Sequence, residues 1–393
     1  MKKAFENELV RALMRLDIDL WSDTVKVNMQ PQILSDDFDD NMGNTNIAIV
    51  VLNKSFLADK VCVQKLKTLL KYKTIDIFWI LNKTESTFAC EMLKNDIDDI
   101  ENLLEQGIVY DAEEGISNIA TDLGLNIFSM KKNTGERIST GINALDYLLN
   151  GGLIKGSSIN IIGSSGTGKT TLSVQIQKNV LESGLACLYI TYSEAPRNIL
   201  QRFKDLGCDI KKYIQEGKFK IYDSYSSLHG LSVEDVKISV GEEYYSAIVR
   251  VEDPYDSEKY FTEQINTIRE IGPGGVNIID CVNVRYQITE KQKEKDEVTY
   301  KEHFSRFKAT GGDTLKNVGI HIVEVEDNDD ELIKHLTRVE DGNIRLKKII
   351  DEETGDMCRY LRVEDNGQYG RGDTKWYEYT VKQKGICILS TNF

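Results

Sequence analysis

Proline and histidine are scarce in this sequence, with 4 of each among 393 residues. The scarcity of proline argues against Pro-rich linkers and against a collagen-like chain. The 7 cysteines include no Cys-x-x-Cys pair, and the histidines show no ligand spacing, so we expect no structural zinc site. Scattered cysteines in apolar, strand-like runs are typical of reduced, buried thiols and indicate a cytoplasmic protein.

Long apolar runs are also missing. No stretch approaches the roughly 18 apolar residues of a membrane-spanning helix, and the first residues lack the apolar core of a signal peptide, so we expect no membrane segment.

Positive charge is in deficit, since 49 Lys and Arg stand against 63 Asp and Glu, for a net charge of −14. An acidic chain is a poor general ligand for nucleic acid, although a local basic channel stays open as an alternative.

Helix-like and strand-like segments alternate along the chain, which predicts an α/β fold with a mainly parallel sheet. In the first part, residues 46–52 (NIAIVVL) and 75–81 (IDIFWIL) are candidates for buried strands, with an amphipathic helix between them at 56–72. A polar, turn-rich segment follows at 131–136 (KKNTGE) and indicates a domain boundary. The predicted domains are residues 1–130 and residues 137–393.

The larger part carries further strand candidates. They are residues 158–162, 186–191, 219–222, 276–279 and 320–325, followed by 360–363, 376–381 and 386–389. The last three follow one another closely, so we expect a β-rich end to the sheet.

The most specific motif is the segment 163–170 (GSSGTGKT), which fits G-x-x-x-x-G-K-[ST] between an apolar strand candidate and a predicted helix at 171–181. In such a phosphate-binding loop, glycines allow tight turns that aim backbone N–H groups at phosphate oxygens, and the helix N terminus favours the same anion. The candidate nucleotide-binding residues are Gly163, Ser164, Ser165, Gly166, Thr167, Gly168, Lys169, Thr170 and Thr171. We predict that Lys169 acts as a catalytic residue on the β- and γ-phosphates of ATP and that Thr170 gives its hydroxyl to Mg²⁺.

Two acidic residues complete the predicted site. The apolar strand candidate VNIID ends in Asp280, and we predict that this carboxylate holds Mg²⁺ together with Thr170. The segment LYITYSEAP is predicted to end a strand adjacent to that of the phosphate-binding loop, and its Glu194 is the candidate for orienting the attacking water. The alternatives are an Asp that caps a turn and a Glu that stabilises a helix N terminus beside Pro196.

Residues 138–156 (ISTGINALDYLLNGGLIKG) resemble the lead-in of RecA-superfamily ATPases, a TG-x-x-x-LD-x-x-L-x-GG segment. Residues 189–223 resemble specifically the KaiC branch, in which a strand ends in an acidic pair and is followed by a helix and a G-x-D turn. Residues 261–280 resemble the helix and acidic strand of the same branch. The resemblance covers about residues 137–390. It implies a RecA-like ATPase core that binds ATP and Mg²⁺, usually in a hexameric ring whose neighbouring subunits complete each site.

The sequence departs from this family at two places. Ser193-Glu194 stands where the family has an acidic pair, and Arg362-Val-Glu364 stands where it has a Lys-x-Arg finger that acts on the neighbouring subunit. Arg362 keeps one cation and is a candidate catalytic residue, whereas Glu364 has the opposite charge. These departures indicate a slow ATPase or a nucleotide-dependent assembly switch. Because the chain has one phosphate-binding loop where the clock protein has two, we interpret it as a relative of KaiC and not as the clock component.

Residues 18–82 resemble TIR domains, through Ser55-Phe-Leu and through Cys62-Val-Gln-Lys65-Leu66. Catalytic TIR domains carry a Glu in this helix motif for NAD cleavage, where this sequence has Lys65, and an ammonium group cannot accept hydrogen bonds from ribose hydroxyls. We therefore predict a smaller TIR-like or flavodoxin-like α/β domain that binds a protein partner and does not cleave NAD. A generic α/β domain is the alternative.

Together these patterns favour an ATP-controlled homo-oligomer in signalling or defence, with the first domain as an adaptor. Two functions of other classes are the alternatives: a RecA/RadA-type recombination ATPase that binds DNA, and a NAD-consuming TIR effector regulated by the ATPase. The acidic net charge argues against the first alternative, and Lys65 argues against the second.

Overall fold

A computed structural model describes residues 136–292 without interruption, apart from a few side chains. It also describes residues 47–52, 58, 60–70, 76–82, 93, 108–110 and 125 before this range, and residues 305–306, 308–325, 336, 340–350, 356–365, 369, 375–383 and 385–389 after it. The chain divides into two compact units, residues 1–127 with Phe393 and residues 128–392. The domain limits 1–130 and 137–393 stay predictions.

In the first unit, the described strands form a parallel sheet. Strand β1 (Ile47–Leu52) pairs with β2 (Asp76–Asn82), and β2 pairs with β3 (Ile108–Tyr110). The helix α1 (Lys60–Leu69) lies between β1 and β2 in the chain, so the apolar runs and the amphipathic segment form the predicted strand–helix–strand order. Residues 18–23 of the TIR resemblance lie outside the described residues, and the TIR-like identity stays a prediction.

The second unit contains most of the described elements. Its strands are β4 (Arg137–Ile138), β5 (Leu153–Ile154), β6 (Ser158–Gly163), β7 (Cys187–Thr191), β8 (Phe219–Asp223), β9 (Ile248–Arg250), β10 (Val276–Asp280), β11 (Val318–Glu324), β12 (Gly342–Ile350), β13 (Met357–Asp365), β14 (Tyr377–Lys382) and β15 (Gly385–Ile388). Its helices are α2 (Asn143–Leu148), α3 (Lys169–Glu182), α4 (Pro196–Asp205), α5 (Ile210–Gln215), α6 (Tyr225–Leu228), α7 (Val233–Val240), α8 (Glu242–Tyr245), α9 (Ser257–Ile271) and α10 (Val282–Gln292), and a π-helical segment covers Lys308–Thr314. None of the helices in the described residues is long and apolar enough to cross a membrane.

Ten of these strands form one sheet in the order β15-β14-β13-β12-β6-β11-β10-β7-β8-β9. Every pair from β12 to β9 is parallel, and the pairs that β13, β14 and β15 add are antiparallel. The prediction of a mainly parallel α/β core with a β-rich end is therefore confirmed. Strand β12 (GNIRLKKII) was not among the candidates, because its charged residues interrupt the apolar run.

The central strands position the site. Strands β6 and β7 are buried along their whole length, as expected for parallel strands that are covered on both faces. Because the carboxyl ends of parallel strands lie at one edge of a sheet, the segments that follow β6, β7 and β10 meet there.

One predicted neighbour relation is wrong. Strand β7, which leads to Glu194, lies between β10 and β8, whereas β6 lies between β12 and β11. Strand β11 therefore separates β6 from β10, and two strands separate β6 from β7. An apolar pattern identifies a strand but does not show which strand lies beside it in the sheet. The crossover connections set that order, so two strands that are close along the chain, such as β6 and β7, need not be neighbours.

Candidate active site

The segment 164–168 joins the end of β6 to the first residue of α3. Its Gly166 and Gly168 have φ angles of +77° and +94°, in the left-handed region that residues with a Cβ rarely adopt. Helix α3 begins directly after the loop, and the N–H groups of its first turn have no partner inside the helix. The loop and the helix N terminus together suit an anion such as phosphate.

Close contacts hold the two ends of this loop. At Gly163 a Cβ would stand 2.6 Å from the carbonyl oxygen of Leu346 on β12, so a side chain does not fit there. Thr167 donates its Oγ1 hydrogen to the carbonyl oxygen of Ser164 at 2.8 Å. Ser165 at the loop tip is exposed, and Thr171 in the first turn of α3 is half-buried. The predicted nucleotide-binding residues thus form one continuous loop and helix start.

Lys169 turns its side chain back over this loop. Its ammonium group donates to the carbonyl oxygen of Ser164 at 3.0 Å and lies 3.9 Å from Oε1 of Glu324. The side chain is 8% exposed, and this burial lowers the pKa of Lys169, whereas the nearby carboxylates of Glu324 and Asp280 raise it. A cation in such a position is available to the phosphates that the loop would bind.

Three hydroxyl groups surround the carboxylate of Asp280 at the end of β10. Thr170 Oγ1 is 3.2 Å from Oδ2, the hydroxyl of Tyr189 donates to the same Oδ2 at 2.6 Å, and Ser193 Oγ is 3.2 Å from Oδ1. The structure therefore brings the two predicted magnesium ligands, Thr170 and Asp280, together. Ser193, the residue before Glu194, also contacts this carboxylate.

The electrostatics of Asp280 favour a nearby cation. Burial raises the pKa of Asp280, the hydrogen bond from Tyr189 lowers it, and the negative charge of Glu194 raises it again. Burial and the charge of Asp280 raise the pKa of Tyr189 well above its usual value, so its hydroxyl stays a donor. Within the residues that the structure describes, no cluster of three or more His, Cys, Asp and Glu side chains could hold a metal ion. A divalent ion at Asp280 would need further oxygen ligands from a bound phosphate or water.

Glu194 lies in the turn between β7 and α4. Thr191 Oγ1 donates to the main-chain carbonyl oxygen of Glu194 at 2.5 Å and fixes the turn. The carboxylate of Glu194 accepts two hydrogen bonds from Arg202, from Nε at 3.1 Å and from Nη2 at 2.5 Å. The guanidinium group therefore holds this carboxylate in a forked pair beside the start of α4, and the water-orienting role of Glu194 stays a prediction.

Arg362 occupies a different environment. Its guanidinium group pairs with Glu364 and lies 4.7 Å from the centroid of the Trp376 ring. Glu364 also pairs with Arg345 at 2.7 Å. Among the described residues, Arg362 forms no ion pair with Asp280 or Glu194, so no described contact joins it to the acidic residues of the site.

The lead-in segment 138–156 contacts α3 through a turn at Thr140. Asp146 accepts hydrogen bonds from Thr140 N at 2.8 Å, Thr140 Oγ1 at 2.7 Å and Ser139 Oγ at 2.5 Å. Asn179 on α3 donates to the carbonyl oxygen of Thr140 at 2.8 Å. The buried carboxylate therefore organises a turn that contacts the helix carrying Lys169. This is a structural role for the TG-x-x-x-LD spacing.

Sequence reasoning missed several residues of the site. They are Tyr189, Arg202, Glu324 and Lys348, of which Lys348 lies beside Gly166. Tyr189 lies in the middle of an apolar strand, where an aromatic residue is ordinary. Arg202 lies 8 residues from Glu194, on a helix with several exposed charges. No local pattern distinguished these residues from their neighbours.

Comparison with known proteins identifies the family of the second part of the chain. The sequence model of the family described as "ATPase: KaiC" matches residues 138–392, more than half of the chain. A UPF0273 protein of Pyrococcus furiosus is 30% identical over 150 residues, which cover 38% of this chain and 56% of that protein. The circadian clock oscillator protein KaiC of Acaryochloris marina is 28% identical over 130 residues, which cover 31% of this chain and 25% of that protein.

The match to these relatives is partial in length. The chain spans about half of the Pyrococcus protein and a quarter of the Acaryochloris protein. The crystal structure of a KaiC-like protein from Pyrococcus horikoshii aligns with a TM-score of 0.46 and 19% identity, covering 64% of this chain and 98% of that one.

Proposed function

The chain belongs to the ATPase family represented by KaiC. From this premise we propose that it binds Mg·ATP at residues 163–171 and hydrolyses it slowly. We also propose that the bound nucleotide controls the assembly of the chain into an oligomer. The observation that carries the proposal is that the Thr170–Asp280 hydrogen bond lies beside a glycine-rich loop whose Gly166 and Gly168 have positive φ angles. Glu194 supports the hydrolytic part, because its turn lies next to Ser193, which contacts the same Asp280.

The donor set fits magnesium. A hydroxyl and a carboxylate oxygen 3.2 Å apart, from Thr170 and Asp280, are hard oxygen ligands of the kind that Mg²⁺ prefers, and the remaining positions would be filled by phosphate and water. When bound, the ion supplies charge that offsets the negative charge on the phosphate oxygens during phosphoryl transfer. The buried Asp280 gains from a cation, since burial alone disfavours its charged form.

Two side chains of the site would bind the phosphates and orient the attacking water. Lys169 donates hydrogen bonds to the terminal phosphates in place of its present contact with the Ser164 carbonyl oxygen. Glu194 accepts a hydrogen bond from the attacking water, because a carboxylate oxygen that is bonded once to Arg202 keeps a second lone pair. The water oxygen bonds to the γ-phosphorus, the bond to the β–γ bridging oxygen breaks, and ADP and phosphate leave while the water proton passes through Glu194 to solvent.

The direct test is phosphate release from Mg·ATP by the purified chain. We expect slow release that saturates with ATP, falls to background when Mg²⁺ is chelated and returns when Mg²⁺ is added back. Binding of ADP and ATP, measured by calorimetry in the same buffer, separates a nucleotide-binding switch from an enzyme. Failure to bind either nucleotide at millimolar concentration would refute the proposal.

We also propose a homo-oligomer, a hexameric ring by resemblance, in which Arg362 serves the neighbouring subunit. Support comes from the family and from Arg362 itself, whose described contacts are with Glu364 and Trp376 and not with the acidic residues of its own chain's site. We expect light scattering to give a mass several times that of one chain in Mg·ATP and a smaller mass after nucleotide removal. A monomer under both conditions would contradict this part.

For the first domain, 1–130, we propose a TIR-like or flavodoxin-like adaptor that binds a protein partner in signalling or defence. Its support is the described parallel sheet β1-β2-β3, with α1 between the first two strands in the chain, and Lys65 in that helix, where catalytic TIR domains carry a Glu. Release of nicotinamide from NAD by the purified chain would contradict it.

A further inference from the structure

Strand β12 carries a second lysine to the phosphate-binding loop. It pairs in parallel with β6, the strand that leads into the loop, and Leu346 on β12 lies against Gly163. Side chains two residues apart lie on the same face of a strand, so Lys348 follows Leu346 on the face that meets the loop. The ammonium nitrogen of Lys348 is 3.3 Å from the point where a Cβ on Gly166 would stand.

Lys348 lies apart from the ion pairs that the structure describes on β12 and β13. Arg345 and Arg362, which are cross-strand partners, share the one carboxylate of Glu364 and lie on the face of β12 opposite to Lys348. Among the residues that the structure describes, no acidic side chain forms an ion pair with Lys348, which is exposed. The positive charge of Lys348 is therefore directed at the loop without a counter-ion from the described chain.

The loop thus gathers two positive charges. The ammonium nitrogen of Lys169 lies 3.0 Å from the carbonyl oxygen of Ser164, and that of Lys348 lies 3.3 Å from the Cβ position of Gly166 in the same loop. Two ammonium groups that repel each other across one glycine-rich loop are both stabilised by an anion with several charges placed between them. A nucleotide triphosphate is such an anion.

We propose that Lys348 is a phosphate-binding residue of the ATP site, supplied by the same chain as the loop, which compensates in part for the acidic residue at Glu364. This inference rests on the proposed function. It differs from the family's finger because Lys348 acts within its own chain, from the strand beside β6. It also explains why a chain with Glu364 in the finger motif retains enough positive charge to hold the terminal phosphates.

The test compares Lys348→Ala, Lys348→Arg and Lys178→Ala. Lys178 is a charge-matched control, since it lies on α3 and pairs with Glu182 at 2.9 Å. Calorimetric titration with Mg·ADP and with the Mg complex of a β,γ-imido ATP analogue avoids turnover. We expect Lys348→Ala to raise the Kd of the triphosphate about tenfold, as for loss of one charge-assisted contact, and the other two variants to stay within about threefold of the wild type.

The outcomes distinguish this inference from the proposed function. A loss for the triphosphate alone supports a γ-phosphate contact, and an equal loss for ADP supports a β-phosphate contact. Unchanged affinity of Lys348→Ala, with wild-type binding intact, overturns this inference and leaves the proposed function standing. Absence of binding in the wild type overturns both. A thermal unfolding scan of each variant shows whether a loss of affinity comes from misfolding. If Lys348→Ala is misfolded, the test passes to Lys348→Arg, and weak binding by a folded Lys348→Arg variant also overturns the inference.

Discussion

Replacement of Lys169 by alanine is expected to reduce phosphate release from Mg·ATP by at least about 100-fold and to weaken ATP binding. The ammonium group of Lys169 lies at the loop with its side chain only 8% exposed, and a preorganised charge in such a place has a large effect on phosphoryl transfer. The measurement is single-turnover phosphate release alongside calorimetric affinity for ATP.

The fold should survive this change. The substitution breaks no short buried ion pair, since the nearest carboxylate oxygen to the ammonium group of Lys169, on Glu324, is 3.9 Å away. No buried carboxylate is therefore left without a close partner. Lys178→Ala, on the same helix, provides the matched loss of charge and is expected to behave as the wild type. Normal turnover in Lys169→Ala would show that the loop is not the catalytic site.

Replacement of Glu194 by glutamine should separate binding from hydrolysis. The amide cannot accept a proton as a carboxylate does, so we expect turnover to fall by about 100-fold or more. Affinity for ATP should change by less than about threefold, because Glu194 has no contact with the phosphate-binding loop among the described residues. Single-turnover release at saturating ATP reports the first effect, and titration with the imido analogue reports the second.

The geometry around Arg202 makes the Glu194→Gln variant informative. The amide that replaces the carboxylate would keep one oxygen to accept a hydrogen bond from the guanidinium group, so the turn between β7 and α4 should hold. Glu182→Gln, an exposed change on α3, controls for the loss of one negative charge. Full turnover in Glu194→Gln would assign the carboxylate to the Arg202 pair alone and leave water activation to another group.

Several features of the site followed from local sequence because their physics is local. The phosphate-binding loop needs glycines at positive φ and a helix start at a fixed spacing, and both lie within eight consecutive residues. The strand ending in Asp280 was predictable for the same reason, since an apolar run followed by a carboxylate is visible in five residues. The family match at 138–392 agrees with these motifs.

Other features depend on contacts between distant parts of the chain. Tyr189 and Ser193 reach Asp280 from sequence separations of 91 and 87 residues, and no pattern around either of them indicates the contact. The Thr170–Asp280 contact spans 110 residues and was predictable only because each residue belongs to a recognisable motif. The strand order is of the same kind: the sequence suggested that β7 lies beside β6, and the crossovers place β11 and β10 between them.

Local sequence is enough to establish an α/β chain with a phosphate-binding loop, because hydrophobic periodicity and glycine spacing act over a few residues. Three relations emerge only in the folded chain: Ser193 binds Asp280, Arg202 binds Glu194, and Lys348 faces Gly166. Hydrogen bonds and charge interactions act through space over a few ångströms. Their partners are therefore set by how the strands are ordered and not by their distance along the chain.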